Sequence, residues 1–142
     1  MKDILTETYW ELFDDGVFFH TGNYQLDGKC DSVIVSDGEH YGIFLDIGKV
    51  QTPMQEKMAV THEWAHYRTG STYSINADET VRKQAERRAD KAQIRRLVPK
   101  ADLAAAVADG RTEPWELAEI FGVPESFMCQ AIQYYQKEER RL

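Results

Sequence analysis

The stretch from Thr52 to Gly70 marks both of its own ends. The Thr52 hydroxyl can cap a helix, Pro53 suits the first helical position, and Gln55, three residues past the cap, closes a capping box. A helix is therefore predicted over residues 53–69, stopped by Gly70, and it separates two kinds of sequence. Before it, residues 17–20, 32–36 and 41–46 are short β-rich runs parted by Gly22, Gly28, Gly38 and Gly48. The Ser36-Asp37-Gly38 stretch suits a hairpin, because Asp-Gly accepts the positive φ angles of tight turns. These runs predict a small antiparallel sheet of about three strands. An amphipathic helix precedes them over residues 2–14, with Ile4, Leu5, Tyr9, Leu12 and Phe13 at helical spacing.

Beyond Gly70 the pattern is helical to the end. Residues 79–97 contain no Gly or Pro and Pro99 supplies the stop; shorter helices are predicted over 101–108, 113–121 and 125–137. Strands first and helices afterwards define an α+β arrangement and argue against a doubly wound parallel sheet. The 142 residues suit one domain, and sixteen aromatic side chains argue for a packed core rather than disorder.

No apolar run approaches the roughly 18–20 residues that a spanning helix needs, so neither a membrane span nor a secretory signal is expected. Cys30 and Cys129, without such a signal, read as reduced thiols in a cytoplasmic protein. The net charge of −7 works against nucleic-acid binding. Its distribution is uneven: residues 1–56 hold 11 acids and 3 bases, whereas residues 82–100 hold 8 bases and 2 acids. That basic run reads first as a solvated face and second as an attractor for an acidic partner.

Inside the capped helix lies His62-Glu63-Trp64-Ala65-His66. Residues four apart on a helix share a face about 6 Å apart, so two imidazoles can converge on one ion. Glu63 is turned by about 100° from His62, which places its carboxylate to act on a water held by the ion. For this composition the chance expectation of His-Glu-x-x-His is roughly 0.01. A catalytic zinc needs a third protein ligand and one open position. Asp78, Glu79, Glu86 and Asp90 are the downstream candidates, and Glu86 is favoured because Ala85 and Ala89 let its helix approach closely. Asp90, one turn on, is placed to accept the spare N–H of a ligating histidine. Tyr67, Tyr73, His40 and Arg87 are the candidates for stabilising an oxyanion. The 41–46 strand reads equally as a sheet edge offered to an extended peptide and as an ordinary sheet strand with Ile43 and Leu45 in the core.

The chain resembles the ImmA/IrrE family of zincin-like metallo-endopeptidases. The resemblance rests on the opening helix, the short strands ending at residues 41–46, HEWAH, the segment AERRADKAQIRRLVP (85–99) and the segment LAEIFGVPESFMCQAI (117–132). It implies a zincin-like catalytic core over 1–100 with a helical extension, 101–142, packed on it. It also implies Zn2+ held by His62, His66 and Glu86, with Glu63 as catalytic acid and base and Asp90 in support. The implied activity is site-specific cleavage of a helix-turn-helix repressor of a prophage or mobile element. Trp64, bulkier than the aliphatic residue usual there, and the basic character of the Glu86 helix depart from the family pattern.

Two other readings stand beside this one. A non-catalytic zinc module would close the site with a further ligand such as His40. A DNA-binding regulator would use residues 117–135 as a helix-turn-helix, yet residues 125–136 contain no Lys or Arg, so no direct DNA contact is expected.

Overall fold

The computed structural model describes residues 3–28 and 30–140. Helix α1 (Ile4–Asp14) is followed by strands β1 (Phe18–Gly22), β2 (Ser32–Ser36) and β3 (Tyr41–Asp46), then by helices α2 (Pro53–Thr69), α3 (Glu79–Leu97), α4 (Lys100–Ala108), α5 (Pro114–Phe121) and α6 (Glu125–Arg140). The architecture is α+β, as the sequence predicts. The first helix begins at Ile4, capped by the Asp3 carboxylate; Lys2, the predicted start, lies outside the described residues. Among the described residues, no helix is long and apolar enough to cross a membrane.

The sheet corrects the antiparallel expectation. Its order is β1-β3-β2; β2 and β3 run antiparallel, but β1 runs parallel to β3. Between β2 and β3 the expected turn forms. The Asp37 Oδ1 atom accepts the backbone N–H groups of Glu39 and His40 at 2.9 and 2.7 Å, and Gly38 takes φ +96°. Among the described residues, no comparable turn follows β1. Gly22 pairs with Asp46 and Ser32 with Leu45, so both ends of the link over residues 23–31 lie at the same end of β3. The link passes that end instead of folding back as a hairpin, which leaves β1 parallel to β3. Asp46, 1% exposed, secures the crossing by accepting the N–H groups of Leu26 and Gly48 at 3.1 and 3.0 Å. Lys49 Nζ adds hydrogen bonds to the carbonyls of Leu26, Gly28 and Cys30.

The chain divides into two compact units with the boundary inside α3, after Gln93. The first unit is built on Leu12, Val17, Ile43, Leu45, Ala59, Val60, Trp64, Ala65 and Ala89. Strand alternation sends Ile43 and Leu45 into this core, and the small Ala89 lets α3 share it. Gln93 adds hydrogen bonds from Nε2 to Met58 O at 2.8 Å and to Thr61 Oγ1 at 3.0 Å, joining α3 to α2.

The second unit buries Leu97, Val98, Leu117, Met128 and Ala131 almost completely. Within it, α5 ends at a left-handed Gly122, three residues before α6 begins. Tyr135 donates a hydrogen bond to Val98 O at 2.7 Å.

Candidate metal centre

The sequence signals at both ends of α2 are realised. Thr52 and Gln55 form the reciprocal capping box, and Gly70 closes the helix at φ 63°. One turn apart near the C-terminal end, the His62 and His66 rings lie 4.8 Å apart between centroids and 86° to one another. Their Nε2 atoms meet a single oxygen from α3: Glu86 Oε2 is 3.4 Å from His62 and 3.2 Å from His66. The three side chains singled out as ligands therefore converge.

Glu63 is 4% exposed. Its Oε1 lies 3.8 Å from His62 Nε2, while its Oε2 is buried without a hydrogen-bond partner among the described residues. Such a buried carboxylate oxygen is costly unless something polar completes it. Candidate ligand atoms of His62, Glu63 and His66 all lie within 4.8 Å of one another, a grouping that could hold a metal ion. Two neutral imidazole nitrogens and one carboxylate oxygen, with a second carboxylate alongside, suit a divalent ion of intermediate softness.

The electrostatics follow from this crowding. Burial alone would lower the His62 pKa, but its hydrogen bond to Glu86 and the charges of Glu63, Glu86 and Asp90 push it up to about 9. Hydrogen bonds from His62 and His66, joined by Tyr73, hold the Glu86 carboxyl well below the usual range against the effect of burial. Burial raises the Glu63 pKa, an effect only partly opposed by the two imidazoles. Burial also raises that of Asp90.

The spare ring nitrogen of His66 does not go to Asp90. Nδ1 lies 3.0 Å from Ser71 O, a backbone acceptor presented just past the Gly70 cap, and this bond leaves Nε2 facing Glu86. An oxygen of Asp90 is instead within 4.8 Å of ligand atoms of His62 and Glu86. Of the four oxyanion candidates, only Tyr73 reaches the cleft, where its hydroxyl donates to Glu86 Oε1 at 2.8 Å. Tyr67 donates to Asp15 Oδ2 at 2.9 Å, His40 contacts Asp37 at 3.2 Å, and Arg87 is exposed.

The cleft has a volume of about 390 Å³, and its far wall is β2 with the preceding Cys30 and Asp31. This corrects the expected peptide edge: β3 is the central strand with both sides paired, so the sheet edge beside the cleft belongs to β2. Ser71, Gln93 and the β2 edge are absent from the sequence reading. Gln93 alone had a signal there, lying seven residues beyond Glu86 and so near the same face of α3.

No family model matches the chain, and no curated protein or solved structure matches it. Fold and site define an α+β protein with a histidine–glutamate cluster that could hold a metal ion.

Proposed function

We propose that this chain is a zinc-dependent endopeptidase of the ImmA/IrrE type. The observation that carries the reading is the convergence of His62 Nε2 and His66 Nε2 on one oxygen of Glu86, beside the buried, incompletely bonded carboxylate of Glu63. His62, His66 and Glu86 would hold zinc, leaving a position open towards the cleft. When bound, zinc supplies polarisation of a carbonyl and activation of water.

The chain's own residues do the rest. Ser71 fixes the His66 tautomer, and Glu86 supplies the negative charge that two neutral imidazoles lack. Glu63 accepts a proton from the attacking water and returns it to the leaving amine; its burial-raised pKa favours the first transfer. The β2 edge offers backbone groups to an extended segment, so scission is expected in an extended or locally unfolded stretch of the target. By the family resemblance that target is a helix-turn-helix repressor of a mobile element, met in the cytoplasm.

The test is Glu63→Gln in the zinc-loaded chain, assayed with a fluorescence-quenched peptide pool and with a repressor protein from the same genome. The variant should keep about one zinc per chain and lose roughly 10²–10⁴-fold in cleavage rate. Cutting at the wild-type rate would sink the hydrolase reading. A wild type that holds zinc but cuts nothing would favour a non-catalytic zinc module. His40 is not the closing ligand of such a module, since it sits on Asp37 in the β2–β3 turn.

A further inference from the structure

We infer that Tyr73 is a positioning residue of the metal centre, holding Glu86 so that it presents one oxygen rather than two. The inference rests on the metal reading above. Glu86 reaches the site on a flexible side chain that is 37% exposed, so nothing in helix geometry alone decides which of its oxygens faces the imidazoles. The Tyr73 hydroxyl occupies Oε1 at 2.8 Å, and Oε2 is the oxygen left at 3.2 and 3.4 Å from the two Nε2 atoms. A carboxylate gripping an ion through both oxygens would fill the coordination position that a hydrolytic site keeps open.

Tyr73 is also placed against a second ligand. Its ring lies 6.1 Å from that of His66 at 70°, an edge-on arrangement. The short segment between α2 and α3 thus serves two ligands at once, with the Ser71 carbonyl on His66 Nδ1 and the Tyr73 hydroxyl on Glu86. Because its proton is directed at Glu86, the hydroxyl acts through the ligand rather than on the reacting group.

The experiment is Tyr73→Phe, with Zn2+ affinity measured by competition against a chromophoric chelator and the Co2+-loaded absorption spectrum recorded. The variant should bind Zn2+ about 10–100-fold more weakly and show altered Co2+ bands, while the metal-free unfolding midpoint stays unchanged. In a Glu86→Ala background, Tyr73→Phe should cost no further affinity, because the residue through which it acts is gone.

Unchanged affinity and spectrum overturn the inference, as does an equal loss in the Glu86→Ala background. Unchanged affinity with a fallen kcat in the zinc-saturated variant overturns it in favour of direct action on the substrate. A wild type that takes up neither ion removes the metal reading and this inference together, whereas normal wild-type uptake isolates any failure to Tyr73.

Discussion

Helices α2 and α6 are of similar length and are built on opposite plans. Along α6, Phe127, Met128, Ala131 and Tyr135 are buried at helical spacing, forming one apolar stripe. Along α2 the buried set mixes the apolar Ala59, Val60, Trp64 and Ala65 with the polar Thr61, Glu63 and His66. Helices in proteins are stabilised mainly by packing an apolar face, so α6 has an ordinary reason to form, while α2, whose apolar face is interrupted by buried polar groups, draws on further ones. Its caps supply one. Bonds to its buried polar groups supply another: Thr61 Oγ1 donates to Lys57 O at 2.6 Å and itself receives Gln93. The oxygen left over is the buried Oε2 of Glu63, a residue that lines the cleft. A buried group that folding does not complete points to a role outside folding.

The bluntest way to break the comparison is to hollow out α6. Met128 is 0% exposed, and Met128→Ala should remove about 2–5 kcal/mol of stability by deleting apolar contacts and leaving a cavity. Its Zn2+ affinity, measured below the unfolding transition, should match wild type. Chemical denaturation and chelator competition check the two halves of this statement. Lost metal binding in a still-folded variant would show that α6 is part of the site.

A somewhat smaller effect should come from the ion itself. Free Zn2+ at about 100 times its Kd should stabilise the chain by about 2.7 kcal/mol, and a strong chelator should remove the gain. His66→Ala deletes a ligand that is 3% exposed and should abolish the gain. Thermal unfolding with and without Zn2+ measures it. A gain that survives His66→Ala would place the ion elsewhere.

How much of this could be read beforehand depended on whether the interaction was local. The α2 helix was legible because Thr52, Pro53, Gln55 and Gly70 act on their own backbone neighbourhood. The His62 and His66 pairing was legible because helical periodicity alone brings residues four apart together. The approach of Glu86 came through Ala85 and Ala89, whose small size is a local trait with a tertiary consequence. The direction of β1 was not legible. It depends on the Asp46 and Lys49 side chains catching a link from 19 to 23 residues earlier, and no hydrophobic alternation records that. For the same reason nothing in the sequence marks β2 rather than β3 as the sheet edge beside the cleft. Nor could Ser71 be foreseen as the partner of His66, since any residue can offer a backbone carbonyl.

The smallest and most discriminating effect is expected at Glu63, in the metal-free chain. Its folded pKa is raised above the ordinary 4.5, so the folded state holds that proton more tightly than the unfolded state does. The resulting stability is present at low pH and is lost as pH rises through the folded value. Glu63→Gln cannot lose it. At pH 7 the metal-free variant should therefore be more stable than wild type, the two converging near pH 4. His62 acts in a higher window. Its pKa is raised from 6.5 to about 9, so its share is complete below pH 6.5 and disappears as pH climbs through 9; Glu63→Gln should retain that second decline. Urea denaturation at pH steps from 4 to 9.5 separates the two. Saturating Zn2+ should erase the upper decline, because a ligating imidazole must already have given up its proton. If Glu63→Gln is instead less stable than wild type at pH 7 without metal, the polarity buried in α2 serves the fold, and the contrast with α6 is one of chemistry without function.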